Sequence, residues 1–123
     1  MSEPNFVLLY VKDVPHSVQF YTGLLDKPAV ESAPTFAMFA LDSGVMLGLW
    51  SQQHVEPTAN LMGVGGELAF AVDSDARVDA THLDWRKRDM TIAQAPVKLD
   101  FGYTFVALDP DKHRLRVFAP AAS

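Results

Sequence analysis

Residues 45–51, Val-Met-Leu-Gly-Leu-Trp-Ser, carry the side chains with the clearest binding chemistry. Because side chains alternate along a strand, Met46, Gly48 and Trp50 share one face and the other four residues point away from it. A large indole and a flexible thioether on either side of a glycine form a surface that suits a flat ligand. The same alternation also fits a strand that is buried on both faces, so this segment alone leaves both interpretations open.

Side chains for catalysis are sparse. The sequence has no cysteine, which excludes disulfides, zinc–thiolate sites and thiol nucleophiles. The four histidines lie in four different predicted elements, without the close spacing of a metal motif: His16, His54, His82 and His113. We expect His16 and His82 on exposed helix surfaces and His113 in a turn. The Gly-x-Ser-x-Gly elbow of serine hydrolases does not occur, and we assign no catalytic residue, although Glu67 is considered as a general base.

The elements that position these residues follow a β-α-β-β-β order in the first half. Apolar, β-rich segments predict strands at residues 6–11, 35–41 and 45–51, with a short strand at 29–32. Helical spacing of apolar residues predicts a helix at 15–25. A connection that contains glycine and proline, residues 52–66, separates this half from the next.

The second half repeats that order. Strands are predicted at residues 67–72, 91–93, 101–108 and 114–118, and a helix ends near residue 89 with Leu83 and Trp85 on its buried face. We expect Pro96 to prevent the second of these strands from continuing. The predicted fold is α+β, one domain over residues 1–123, built from two βαβββ units (about 5–53 and 66–120). Each unit has a mixed sheet with its helix on the outer face.

Short sequence matches support an internal repeat. Phe-Ala-Leu-Asp at 39–42 matches Val-Ala-Leu-Asp at 106–109, and Val-Lys-Asp at 11–13 matches Val-Asp-Ser at 72–74. We expect the turn of the second unit to be one residue longer than that of the first. In this register Gly48 corresponds to Arg116, and Trp50 corresponds to Phe118. Agreement between the matches and the element order favours duplication of one unit.

Composition limits the partners. Ten Lys and Arg against fifteen Asp and Glu give a net charge of -5, and no basic face is evident, so nucleic acid is not an expected partner. No apolar run approaches the roughly 20 residues that span a bilayer. No signal peptide is visible either. We therefore expect a cytoplasmic protein without a membrane partner.

Three ordered motifs resemble the vicinal oxygen chelate superfamily of glyoxalases, bleomycin-resistance proteins and extradiol dioxygenases. They are Phe20-Tyr21, Glu67-Leu-Ala-Phe-Ala-Val72 and Asp109-Pro-Asp-x-His113-x-Leu-x-Val117, within paired βαβββ units. The resemblance covers nearly the whole chain. Lys112 departs from it, since the turn of the family usually has glycine there.

The resemblance argues against the metal chemistry of that superfamily. Its metalloenzymes carry ligands at four cavity positions, which correspond here to Phe6, Gly48, Glu67 and Arg116. Only Glu67 could bind a metal, whereas a catalytic ion normally takes about three protein ligands. We expect no metal and no cofactor. Glu67 and Arg116 are expected to form a charged pair, which either orients a ligand's amide or carboxylate or is a structural salt bridge.

The closer likeness is to phenazine-antibiotic resistance proteins, through Leu9-Tyr10-Val11, Gly48-Leu49-Trp50-Ser51 and Tyr103-Thr104-Phe105. Such members sandwich a planar ligand between aromatic side chains without metal, and they are dimers whose clefts draw on both chains. For each aromatic residue a place in the core is the alternative. The predicted ligand-binding residues are Phe6, Phe36, Met38, Met46, Gly48, Trp50, Glu67, Tyr103, Phe105, Arg116 and Phe118.

The predicted function is metal-independent binding and sequestration of a small planar aromatic compound, such as an antibiotic, by a homodimer without enzyme activity. Two alternatives stay open. One is a lyase or isomerase of the same superfamily that uses Glu67 as general base. The other is a stress or virulence accessory protein that acts through protein contacts.

Overall fold

The computed structural model describes residues 5–56, 58 and 66–121 of the 123-residue chain. The chain divides into two compact units, Met1–Met62 and Gly63–Ser123. The division falls inside the predicted connection between the two halves. Residues 57 and 59–65 of that connection lie outside the described residues.

The first unit contains one helix and a four-stranded mixed sheet. Its elements are β1 (Phe6–Val11), α1 (Val14–Leu25), β2 (Glu31–Ser32), β3 (Phe36–Ala40) and β4 (Met46–Ser51), followed by a short 3-10 helix, Gln52–His54. The strand order is β1-β4-β3-β2. β1 and β4 are parallel, and the other neighbours are antiparallel.

The second unit has the same architecture, which confirms the two predicted βαβββ units. Its elements are β5 (Glu67–Ala71), α2 (Asp75–Lys87), β6 (Thr91–Leu99), β7 (Gly102–Leu108) and β8 (Arg114–Pro120). The strand order is β5-β8-β7-β6, again with one parallel pair, β5 and β8. Neither helix in the described part of the chain has the length and apolar character needed to cross a bilayer.

Both helices begin at equivalent side-chain caps. The Asp13 carboxylate accepts a hydrogen bond from the His16 amide at 3.0 Å, and the Ser74 hydroxyl accepts one from the Arg77 amide at 3.1 Å. Such caps satisfy amides that have no partner within the first turn. The match of residues 11–13 with 72–74 predicts this equivalence, because Asp13 and Ser74 occupy the same place in it.

Each helix packs on one face of its own sheet. Tyr21 of α1 and Phe39 of β3 are fully buried, with ring centroids 6.5 Å apart. Trp85 of α2 meets Phe105 of β7 edge-on at 5.4 Å. Leu83 was predicted to share the buried face with Trp85, but it is 56% exposed. Two residues along a helix correspond to a rotation of about 200°, which places these side chains on opposite sides.

Strand β6 is longer than predicted. It runs through Pro96 to Leu99 instead of ending at residue 93. β6 is the edge strand beside β7, and their pairing shifts register between Ile92 and Gln94 and again between Gln94 and Val97. Proline is tolerated in edge strands and bulges because no neighbouring strand needs its missing amide hydrogen.

The long hairpins of the two units have turns of equal length, residues 41–45 and residues 109–113. Gly44 and Lys112 occupy the same left-handed position in them, with φ of 93° and 68°. The prediction that the second turn is one residue longer is therefore wrong. Each residue of β3 corresponds to a β7 residue one position later than predicted, while the correspondence of β4 with β8 is unchanged.

Candidate functional site

The face of the first sheet that α1 leaves uncovered is aromatic and aliphatic. Phe39 is buried against α1, so the alternating residues Phe36 and Met38 of the same strand point to the other face. Phe36 lies opposite Trp50, and Met38 lies opposite Gly48, in the pairing of β3 with β4. The predicted binding face of residues 46–50 is thus the face away from the helix.

Three apolar side chains close over Gly48. A Cβ atom added at Gly48 would lie 2.7 Å from Leu8 Cδ2, 2.8 Å from Phe6 Cε1 and 3.3 Å from Phe36 Cε1. The first two separations are shorter than real carbon contacts, so only glycine leaves these side chains in place. Gly48 is therefore the floor on which Phe6, Leu8 and Phe36 meet.

An open concavity of about 430 Å³ is lined by Phe6, Leu8, Phe36 and Trp50. Trp50 stands edge-on to Phe36, with ring centroids 6.5 Å apart and planes at 84°. Phe6 and Leu8 are 41% and 44% exposed. The volume suits a small ligand, and the uncharged lining favours an apolar ring system. We call this surface the apolar concavity.

Three of the four lining residues, Phe6, Phe36 and Trp50, are among the predicted ligand-binding residues, and their binding role stays a prediction. Leu8 was missed, although its place two residues after Phe6 in β1 puts it on the same face. Met46 lies opposite Phe6 in the pairing of β1 with β4. Met46 and Met38 are half-buried on the same face and do not belong to the lining of the concavity.

The uncovered face of the second sheet carries an ion pair. Arg116 Nε donates to Glu67 Oε1 at 2.6 Å, and Arg116 Nη1 donates to Thr104 Oγ1 at 3.2 Å. The side chains of Arg116 and Glu67 are 15% and 30% exposed. The predicted charged pair is thus confirmed as a contact. Thr104 was missed, because the register error placed Tyr103 where Thr104 lies.

Two phenylalanines adjoin this ion pair. The guanidinium carbon of Arg116 lies 5.5 Å from the ring centroid of Phe101, within the range of a cation–π contact. Phe118 meets Phe101 edge-on, with centroids 6.0 Å apart. Phe101 is 46% exposed. We call the surface formed by Glu67, Phe101, Thr104, Arg116 and Phe118 the Arg116 patch.

Tyr103 and Phe105 lie on the opposite, helix-covered face, which corrects their prediction as ligand-binding residues. Phe105 is fully buried against Trp85. The Tyr103 hydroxyl donates to Asp79 Oδ1 of α2 at 2.7 Å. This hydrogen bond raises the pKa of Tyr103 above its ordinary value of 10.0, and desolvation and the nearby carboxylates act in the same direction. The cause of the error is the one-residue shift between β3 and β7.

His113 belongs to the turn before β8, as predicted. Its Nδ1 lies 2.7 Å from Asp109 Oδ2, and Asp109 Oδ1 accepts hydrogen bonds from the amides of Asp111 and His113. The Asp109 carboxylate is 1% exposed, so it serves as an internal acceptor that fixes the turn.

The other histidines do not assemble a catalytic centre with it. His16 is exposed near the start of α1. His54 Nδ1 lies 2.9 Å from Ser51 Oγ in the first unit. The ring of His82, predicted to be exposed, packs against Phe105 with centroids 5.2 Å apart. Within residues 5–56, 58 and 66–121, no three His, Asp or Glu side chains form a group that could hold a metal ion.

Comparisons with known proteins agree with this fold. A family model described as the Glyoxalase/Bleomycin resistance protein/Dioxygenase superfamily matches residues 4–117. The chain is 29% identical over 117 residues to the phenazine antibiotic resistance protein EhpR of Enterobacter agglomerans. The aligned residues cover 93% of this chain and 89% of that protein.

Solved structures show the same fold. Protein ATC0852 from Agrobacterium tumefaciens is 52% identical, with a TM-score of 0.89 over 99% of this chain and 100% of that chain. A glyoxalase-related enzyme from Fulvimarina pelagi is 17% identical, with a TM-score of 0.82 over 97% of this chain and 88% of that one. The second likeness concerns the fold alone.

Proposed function

Because the chain belongs to the Glyoxalase/Bleomycin resistance protein/Dioxygenase superfamily, we propose that it binds a small planar aromatic compound and confers resistance by sequestering it. The observation that carries this proposal is the apolar concavity of the first sheet, where Trp50 and Phe36 stand beside Phe6 and Leu8. A cluster of exposed aromatic and aliphatic side chains usually marks a surface that a ligand or partner covers. The likeness to a phenazine antibiotic resistance protein supports a flat, fused-ring ligand.

The physical chemistry of such binding is simple. A flat ring placed in the concavity removes apolar area from water on both surfaces, at about 25 cal/mol per Å². Contact with the Trp50 ring adds about 0.5–1.5 kcal/mol beyond that burial. Sequestration needs only affinity and enough protein, so it requires no catalytic group.

The residues at the four metal positions of the superfamily do not fit a metal ion. The positions that the sequence resemblance assigns are Phe6, Gly48, Glu67 and Arg116. Phe6 and Gly48 offer no side-chain donor atom, and Arg116 brings a positive charge. Glu67 Oε1 already accepts a hydrogen bond from Arg116 at 2.6 Å. A catalytic ion normally takes about three protein ligands, so the proposed binding is independent of metal and of cofactor.

We further propose that the protein acts as a homodimer whose clefts draw on both copies, as its likeness to antibiotic-binding members implies. Exposed apolar side chains on both sheets support a partner, among them Leu8 at 44% and Val97 at 37%. Light scattering coupled to size-exclusion chromatography should give the mass of two chains. A monomer that still binds ligand with full affinity would contradict this part of the proposal.

The test of sequestration is retention of an unchanged compound. Phenazine is mixed with excess protein, passed through an ultrafiltration membrane, released by denaturation and examined by mass spectrometry. We expect retention that a metal chelator does not alter and a compound of unchanged mass. A modified product that disappears in Glu67→Gln would favour the lyase or isomerase instead. No retention of phenazine or of related flat compounds would favour a role through protein contacts.

A further inference from the structure

The Arg116 patch differs chemically from the apolar concavity, because it presents hydrogen-bonding groups beside an aromatic ring. A guanidinium has five N–H donors. In the contacts among the described residues, Arg116 uses Nε toward Glu67 and Nη1 toward Thr104. Its Nη2 group and the second hydrogen of Nη1 remain for another acceptor. Glu67 uses Oε1 in the same contacts, which leaves Oε2 for a donor.

Thr104 holds the guanidinium in a fixed position. Its hydroxyl donates to the Val117 carbonyl at 2.8 Å and accepts from Arg116 Nη1 at 3.2 Å. Thr104 is fully buried, so this anchor is shielded from water. Arg116 is therefore preorganised between Glu67 and Thr104, and a ligand would not have to order it.

The pair offers a donor beside an acceptor with little net charge. The charges of Glu67 and Arg116 cancel at a distance of 2.6 Å. Arg114 lies opposite Glu67 in strand register, but it is exposed and forms no ion pair with Glu67, so water screens its charge. A ligand carboxylate would be attracted by Arg116 and repelled by Glu67. A neutral carboxamide can give its carbonyl to Arg116 and its N–H to Glu67 without that repulsion.

An aromatic ring attached to the amide has a surface beside the pair. Phe101 is 46% exposed, and its ring centroid lies 5.5 Å from the Arg116 guanidinium carbon and 6.0 Å from the Phe118 centroid. The exposed part of Phe101 can pack against a ligand ring while the amide reaches the polar pair. The ion pair and the Phe101 ring together therefore suit a ligand that carries an amide on an aromatic ring.

We propose that the Arg116 patch is a binding site for planar aromatic carboxamides and selects them over the corresponding carboxylates. All five residues of the Arg116 patch belong to the second unit. The inference rests on the proposed function in one respect only, which is the choice of a fused aromatic ring system for the probe compounds.

The test compares phenazine-1-carboxamide with phenazine-1-carboxylate, which share one ring system, by isothermal titration calorimetry. The wild-type protein should bind the carboxamide at least about tenfold more tightly, since a hydrogen bond to a charged group is worth roughly that factor. Glu67→Gln should raise affinity for the carboxylate and reduce or reverse the preference. Arg116→Met should remove it. Arg114→Met, the same type of change two residues away, should leave the preference intact.

The inference would be overturned by equal affinity for the two compounds, by a carboxylate preference in the wild type, or by a preference that survives Arg116→Met. Circular dichroism and the melting temperature establish that each variant is folded.

Trp50→Leu separates this inference from the proposed function. Carboxamide binding that needs Arg116 but not Trp50 supports the patch alone. Phenazine binding that needs Trp50 without any carboxamide preference supports the concavity alone, and absence of binding by all these compounds contradicts both.

Discussion

At the scale of single residues, one structural position has two different chemistries in the two units. Gly48 and Arg116 correspond in the repeat, and each lies in the strand beside the first strand of its unit. Gly48 lets apolar side chains meet above it, whereas Arg116 forms an ion pair with Glu67. The two sheet faces therefore differ at this position, since one is apolar and the other carries an ion pair.

A methyl group at Gly48 should change the shape of the apolar concavity more than it changes stability. In Gly48→Ala the new Cβ would meet Leu8 Cδ2 and Phe6 Cε1 at 2.7 and 2.8 Å. Both atoms are ends of side chains that are more than a third exposed, so they can move. We expect phenazine affinity to fall up to about tenfold, the loss of an aromatic contact. Fluorescence titration measures the affinity.

Gly23→Ala is the matched control. Gly23 lies in α1, and a Cβ atom there would meet nothing within 4 Å apart from its chain neighbours and the backbone of its own helix. Alanine should stabilise the helix by about 0.5–1 kcal/mol and leave affinity unchanged. If Gly48→Ala binds phenazine as tightly as Gly23→Ala does, the concavity is not the binding surface.

At the scale of elements, the sequence locates the strands and helices but misaligns the long hairpins of the two units by one residue. Apolar alternation and helix caps locate the strands and helices, because these signals are local. The match of residues 39–42 with 106–109 is also local, and it implies that the second turn is one residue longer. The two turns are in fact equal in length, so Phe39 corresponds to Ala107 and not to Val106. Since side-chain direction alternates, that displacement moved Tyr103 and Phe105 to the wrong face. Only strand pairing, a long-range property, corrects it.

The equal turns make a prediction about Lys112. Its φ of 68° is left-handed, and its counterpart Gly44 has φ of 93°. A residue with a side chain pays roughly 1–2 kcal/mol of strain in this conformation. Glycine avoids this strain but loses more backbone entropy on folding, so the net gain is smaller. Lys112→Gly should therefore raise the free energy of unfolding by about 0.5–1 kcal/mol in urea denaturation. Lys112→Ala, which keeps the strain, should not, and equal stabilisation by both variants would show that the lysine side chain and not φ is responsible.

The turn before β8 depends on Asp109. Its carboxylate is buried and accepts hydrogen bonds from two amides, and it lies 2.7 Å from His113 Nδ1. Asp109→Ala leaves these groups without their acceptor, which should lower the free energy of unfolding by about 2–3 kcal/mol. Asp42→Ala is the control in the other hairpin, because Asp42 pairs with Lys27 on the surface with its side chain 98% exposed. Thermal melting should show a much smaller change for Asp42→Ala, and similar losses would contradict the structural role of Asp109.

At the scale of the whole molecule, the family and the paired βαβββ architecture follow from the sequence, because ordered motifs and element order extend over nearly the whole chain. The two surfaces that we propose to bind ligands follow from it only in part. Trp50, Phe36 and Phe6 are found where alternation predicts them. Phe101 precedes β7 by one residue instead of beginning the strand as predicted, so strand alternation gives no rule for its direction. Each unit contributes its own helix-free face, one apolar and one carrying an ion pair.

The most direct test of the central claim is a fluorescence titration with phenazine in Trp85→Phe. The sequence has two tryptophans, so Trp50 is then the sole tryptophan reporter. We predict saturable quenching of Trp50, and weaker affinity when Phe36→Leu is added. In Trp50→Leu, the remaining Trp85, which is buried in contact with Phe70 and Phe105, should show no saturable quenching. Absence of saturable Trp50 quenching, or equal quenching of Trp85 in Trp50→Leu, would contradict binding of planar aromatic compounds at the apolar concavity.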